Sequence, residues 1–239
     1  MSTVAKYIRS AFVNDDTEKE INADYSVAVV VNTAVLAWQS SPAFGVVRKR
    51  LELVGRDQPR LTTLVQFAPG SSFDKHSHDG GEEFLVLSGI FSDNDGDYGP
   101  GSYVRNPPGT SHAPYTEVGC KIFVKLRQFQ PMDHKQLVVD SRATTTRWSS
   151  TGEPGISQLR LHQFSDEQIS LCRILPQCWL TPKLYKNGLE IFAYEGSISD
   201  AEGCYPEGSW LRYPPGSKVK ISSAEGARIY IKQGAPPVN

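Results

Sequence analysis

The chain has 239 residues, enough for one large all-β domain or two small ones, either of which buries a real core. A formal net charge of -1 offers no broad attraction to nucleic acid or an anionic membrane, so neither is expected as a partner. The longest apolar run, Val27 to Val31, is far too short to span a bilayer, and MSTVAKYIRSAF lacks the sustained apolar core of a signal peptide.

In chain order, residues 1–24 are polar and weakly patterned, with Asn14-Asp15-Asp16-Thr17 as a turn or helix-start signal, so an N-terminal arm or short helix is expected. From Tyr25 the pattern changes to short β-rich runs, YSVAVVV, AVLAW, GVVRKRLELV and LTTLVQF. Asn32-Thr33, Ser40-Ser41-Pro42, Gly55-Arg56-Asp57 and Pro69-Gly70 separate them as turns. Arg48-Lys49-Arg50 alternates with apolar neighbours and has no second basic cluster beside it, which predicts the solvated face of a strand. Cys120, Cys172, Cys178 and Cys204 contain no C-x-x-C pair, and reduced, mostly buried thiols in a cytoplasmic protein are expected.

The stretch from Gly70 to His112 carries the chemistry. His76 and His78 stand two apart, so on a strand they share a face. Asp79-Gly80-Gly81 supplies a turn that reverses the chain and presents Glu82 beside them. The next strand begins at Glu83, and Asn94-Asp95-Gly96-Asp97 is a tight hairpin tip. His112 follows a Pro-Pro-Gly turn from which a further strand returns to the same place. Phe84 and Val86 share the parity of Glu82 and are expected to line the cavity, while Tyr103 and Arg105 lie on the strand before His112. Three imidazoles and one carboxylate fit an open metal site better than a closed structural zinc site. Iron and zinc lead the metals such donors suit, with manganese, nickel and cobalt behind them. His134 and His162 lie outside this stretch and receive no site role.

The two blocks G-x5-H-x-H-x3-E-x6-G and G-x5-P-x-G-x2-H-x3-N resemble the paired motifs of the cupin superfamily. Every motif position is matched except the last, where Thr116 stands in place of Asn. The wording HSHDGGEEFLVLSGIFSDNDGDYGPGSYVRNPPGTSHAP is similar to the cupin domain of ChrR anti-sigma factors and related cupin proteins. The resemblance implies an all-β fold of RmlC-like jelly-roll barrels with little helix. It also implies one divalent metal ion on His76, His78, Glu82 and His112, with two octahedral positions left for a substrate and for dioxygen or water. A ChrR anti-sigma factor carries a helical zinc-binding domain before its cupin. The residues before Tyr25 have neither its length nor its His/Cys ligands, so capture of a sigma factor by that route is not supported.

The second half of the chain repeats the first. A shift of 107 positions lays residues 68–112 over 175–219 without a gap, matching Gly81 with Gly188, Glu83 with Glu190, Asp93 with Asp200 and Arg105 with Arg212. Trp38 answers Trp148 and Gly45 answers Gly155 at a slightly different offset. Two tandem barrels are therefore expected, residues 25–140 binding metal and residues 141–239 degenerate. Under His76, His78, Glu82 and His112 stand Lys183, Tyr185, Leu189 and Val219, so the second copy has lost its metal. Leu189 and Tyr185 are expected to fill its cavity; an organic pocket, a dimer contact, or an anion at Lys183 is the alternative. Because Glu83 survives in both copies, it is read as serving the fold or an interface, and Arg105, matched by Arg212, as serving the fold or binding substrate.

Two functional classes follow from the resemblance. One is a non-haem, Fe(II)-type dioxygenase acting on a small ketone, diketone or aromatic ketone. The other is a metal-loaded sensor without turnover that answers oxidative stress or a ligand and changes its contact with a partner, and a metal-binding scaffold is the plainest variant. A homodimer is compatible with either.

Overall fold

The computed structural model describes residues 20–234. The expected N-terminal arm falls mostly on residues 1–19, outside the described residues. Residues 20–23 are held, since Ile21 bridges to Leu53 and the Asn22 amide donates to the Leu51 carbonyl at 2.7 Å.

The described chain divides into two units, both all-β and both of cupin jelly-roll form. Residues 20–23 and 36–146 make the first; residues 24–35 and 147–234 make the second. In the first unit a seven-stranded antiparallel sheet runs Leu137–Asp140, Ser102–Asn106, Glu82–Gly89, Cys120–Leu126, Arg60–Phe67, Val46–Val54, Gln39–Ser40. Two short pairs accompany it, His76–Ser77 with Ser111–His112 and Phe91–Asp93 with Gly96–Tyr98. The second unit repeats this order as Val29–Asn32, Ser209–Tyr213, Leu189–Gly196, Ala227–Gln233, Glu167–Ile174, Ile156–Phe164, Ser149–Ser150.

Even the irregularities repeat. Strand pairing slips between Arg50 and Glu52 and again between Arg160 and His162, and between Ala193 and Glu195 as between Lys121 and Ile122 on the partner strand. Gly89 has φ +73°, and a Cβ there would lie 1.9 Å from the Gly119 carbonyl oxygen; Gly196 has φ +74° and would meet Gly226 at 2.2 Å. Only glycine fits either position, which is why both copies keep it.

One strand departs from the expected domain boundaries. The sequence places residues 25–140 in one domain, yet Val29–Asn32 pairs with Ser209–Arg212 and closes the edge of the second unit's sheet. The first unit's equivalent edge is Leu137–Asp140, paired with Ser102–Arg105. Alternating burial of Val29 and Val31 marks a strand, but that pattern carries no address for its partner. The run AVLAW is not a strand. Asn32 Oδ1 accepts the Ala34 N–H at 2.9 Å and starts a 3-10 turn over Thr33–Val35.

All four cysteines are free. Cys120 and Cys172 are buried, Cys178 is half-buried, and Cys204 is exposed, so burial covers fewer of them than expected. Among the described residues no helix is long and apolar enough to cross a membrane.

Candidate metal centre

His76 and His112 are direct neighbours across the short pair His76–Ser77 and Ser111–His112. His78 follows where the strand ends, with its N–H donating to the Thr110 carbonyl at 2.9 Å and its carbonyl accepting the Gly81 and Gly109 N–H groups. Gly81, at φ +78°, makes the turn into the strand that begins with Glu82, and a Cβ there would strike the Phe129 ring at 2.4 Å. The turn, the hairpin and the strand end thus deliver four side chains to one point.

The three imidazole rings pack edge to face, with centroids 4.6–5.2 Å apart. One ligand atom from each histidine lies within 4.8 Å of the others. Glu82 Oε2 is 3.4 Å from His78 Nε2 and 3.5 Å from His112 Nε2. His78, Glu82 and His112 are buried, whereas His76 is exposed.

Each imidazole is oriented by an acceptor at its other nitrogen. His112 Nδ1 lies 2.9 Å from Asp93 Oδ2, and His76 Nδ1 lies 2.9 Å from the Asp74 carbonyl oxygen. His78 Nδ1 lies 3.1 Å from Thr110 Oγ1, whose own hydrogen is donated to the Pro107 carbonyl at 2.8 Å. That hydroxyl can only accept from His78. All three rings therefore carry hydrogen on Nδ1 and present the Nε2 lone pair to the cluster. His78 Nε2 and Glu82 Oε2 are buried without a hydrogen-bond partner. Acceptors facing one another in a buried space repel, and a cation between them removes the conflict. The donor set fits a divalent transition metal.

Electrostatics follow the same contacts. Burial disfavours the His112 imidazolium, but the Asp93 hydrogen bond and the Glu82 charge outweigh it and raise the pKa. For His78 burial prevails over Glu82 and lowers it. Burial alone would raise the Asp93 carboxyl; the hydrogen bonds from His112 and from the Asp95 N–H hold it below the usual range.

Nothing in the sequence marks Asp93 and Thr110 as supports, because the second copy has the like residues Asp200 and Ser217 at the same positions. Asp200 there accepts the hydroxyls of Tyr205 and Tyr213 and closes a turn, and Ser217 donates to Pro214 as Thr110 does to Pro107. Thr116, the departure from the motif, is buried and donates its hydroxyl to the Ile90 carbonyl at 2.6 Å.

A cavity of about 330 Å³ opens on the four residues. Val46, Leu61, Val65, Phe67, Phe73 and Val124 give it a mainly apolar wall, with Arg48 and Arg127 among its polar groups. Phe84 and Val86 do not line it. They pack in the core behind, where Phe84 meets the Phe91 ring at a centroid distance of 4.6 Å, and it is Phe91 that reaches the cavity. Tyr103 and Arg105 also lie elsewhere. The Tyr103 hydroxyl donates to Glu83 at 2.6 Å, and Arg105 pairs with Asp133 and stacks on Phe129. The basic triplet is not a solvated face either: Lys49 is buried with its ammonium 4.6 Å from the Trp38 ring centroid, and Arg48 turns toward the cavity.

In the second unit, Leu189 and Val219 are buried in a cluster with Ile191, Leu211 and Ile229, and Tyr185 packs against it. Lys183 is exposed and donates to Gln233 at 3.1 Å. Aliphatic packing thus occupies the positions that hold Glu82 and His112 in the first copy, with the Tyr185 ring in place of His78 and the exposed Lys183 in place of His76.

A family model described as the ChrR cupin-like domain matches the chain twice, over residues 26–130 and 134–237. No curated protein sequence matches it significantly. Among solved structures, a candidate dioxygenase from Nostoc punctiforme superposes with a TM-score of 0.69 at 13% identity, covering 88% of this chain and 87% of the other. The Ylba protein of Escherichia coli gives 0.68 at 12%, covering 92% and 96%. The Escherichia coli pirin YhhW, solved with nickel(II), gives 0.65 at 10%, covering 88% and 100%. Likeness at such identity shows the fold alone.

Proposed function

The chain belongs to the ChrR cupin-like family, and from that premise we propose that its first barrel is a non-haem metal-dependent dioxygenase acting on a small ketone, diketone or aromatic ketone. His76, His78, Glu82 and His112 hold one divalent metal, with iron the ion for turnover. When bound, the metal supplies open coordination positions and the Lewis-acid and redox chemistry of the reaction. The protein's own residues do the rest. Asp93, Thr110 and the Asp74 carbonyl fix three rings in the tautomer that donates through Nε2. Leu61, Val65, Phe67 and Phe73 exclude water from the wall and orient an apolar substrate body.

The observation that carries this reading is the cavity, ligand-sized, mainly apolar and open to the ligand cluster. A metal kept for structure alone has no use for such a space. The test is oxygen uptake by Fe(II)-reconstituted protein with pentane-2,4-dione and 2-hydroxyacetophenone. Uptake that His76→Ala abolishes supports turnover. No uptake with either compound, together with stoichiometric zinc in the protein as isolated, would favour the second reading. That reading is a metal-loaded sensor, supported by the family's namesake, and it predicts a partner recovered only with metal-loaded protein.

A further inference from the structure

Arg48 and Arg127 bring two guanidinium groups to a mainly apolar cavity whose other charged side chains are the Asp79 and Glu82 carboxylates beside the three imidazoles. The Nε atom of each is buried without a hydrogen-bond partner. Arg48 stands on the strand Val46–Val54, opposite Val65, and shares its face with Val46; both of those neighbours also line the cavity. Among the described residues no carboxylate pairs with it, and the charge acting on it is the repelling one of Arg50. Arg48 is half-buried and Arg127 also donates Nη1 to the Pro59 carbonyl at 3.3 Å, so in each the cost falls on a buried Nε–H left without an acceptor.

The second copy separates fold from function at these positions. Where the fold needs an arginine, both copies have one, as at Arg105 and Arg212. Arg48 is answered by Gln158, which sits at the same strand register opposite Cys172 and donates to Ser170 at 2.7 Å. Arg127 is answered by Gly234. Both residues adopt positive φ, 57° and 78°, and both donate a backbone N–H to the same turn, Gly81 in one copy and Gly188 in the other. A left-handed position is natural for glycine and strained for arginine. The two arginines are thus absent from the copy that lacks the four metal-binding side chains, and one of them is kept against the local backbone preference.

We infer that the cavity recognises an anionic substrate, a small carbonyl compound with an apolar body and a carboxylate, with Arg48 as the residue that binds the carboxylate. Arg127, at the turn that carries Glu82, adds positive charge to the same cavity. A planar guanidinium binds a carboxylate through paired N–H donors, which gives orientation as well as affinity. The inference rests on the dioxygenase reading for the carbonyl and on the arginines for the anion.

Calorimetric titration of the full chain loaded with Zn(II), using 4-acetylbenzoate and the neutral isostere 4-acetylbenzamide, tests it without turnover. The acid should bind at least tenfold tighter than the amide. Arg48→Gln should weaken the acid roughly tenfold to hundredfold and leave the amide unchanged, as expected for a lost charge-assisted hydrogen bond. Gln158 already occupies that register in a folded strand, so the variant is compatible with the fold; Arg48→Lys, which keeps charge and loses the fork, should fall between. Equal binding of acid and amide, no binding of either, or an acid preference that survives Arg48→Gln would overturn the inference. Failure of the dioxygenase reading shows separately, as absent oxygen uptake with the acid preference intact.

Discussion

Asp93 Oδ2 accepts the Nδ1–H of His112 at 2.9 Å, so a residue of one hairpin sets the direction in which an imidazole of another presents its lone pair. The same carboxylate accepts the Tyr98 hydroxyl and the Asp95 N–H, which keep it in place. Asp93→Asn should lower metal affinity about 10- to 100-fold, the usual effect of losing a carboxylate behind a ligating histidine. Competition against a chelator of known affinity measures it, and unchanged affinity would remove Asp93 from the centre.

Glu82 gives a prediction of opposite sign for stability. Its Oε2 is buried without a hydrogen-bond partner, and the second copy has Leu189 at that register, fully buried in an apolar cluster. Glu82→Leu should abolish metal binding while stabilising the metal-free protein by roughly 1–3 kcal/mol, through removal of an unsatisfied buried acceptor. Thermal unfolding after chelator treatment decides it; a lower Tm for the variant would refute the account.

Arg127→Gly relieves a left-handed backbone. Replacing it with the residue that the second copy uses should stabilise the fold by about 1 kcal/mol. Such a gain raises the Tm by about 2–4 °C in a chain of this size. The same variant should weaken 4-acetylbenzoate, so stability and binding move apart.

The thiols divide by burial. Burial pushes Cys120 up to about 11 and Cys172 up to about 12, while Cys204 is exposed. At pH 8 an aromatic disulfide reagent should modify Cys204 quickly and leave Cys120 and Cys172 until the chain unfolds. Because both buried thiols titrate higher when folded, their contribution to stability is complete below the unfolded thiol value of about 8.5. It is lost as pH rises from there toward about 11 for Cys120 and about 12 for Cys172. Denaturant midpoints between pH 8 and 11 should therefore fall, and a flat profile would contradict the assignment.

Much of this was legible in the residues. Turn glycines such as Gly89 and Gly196 reveal a repeat because backbone geometry permits nothing else there. The spacing of His76, His78, Glu82 and His112 reveals a cluster because strand parity and turn chemistry are local. What stayed hidden depends on tertiary placement. Arg48 alternates with apolar residues on its strand, and only the closed barrel tells which face is inside. Phe84 and Val86 have the parity of the cavity wall but stand behind Phe91, a residue from another hairpin. Asp93 has a counterpart in Asp200, which closes a turn and accepts two tyrosine hydroxyls, so the sequence masks its contact with His112 at the candidate metal centre. The destination of Val29–Asn32 was beyond reach, as its partners lie about 180 positions away.

That last strand has a consequence for synthesis on the ribosome. The first unit's sheet gains its edge once Asp140 has emerged, but Val29–Asn32 finds Ser209–Arg212 only after about 180 further residues have been made. At about 5–20 residues per second, an apolar edge segment made early waits roughly 10–40 seconds for its partner. During that interval it is a natural client for chaperones that hold nascent chains, and cutting the gene at the repeat boundary would leave it waiting permanently.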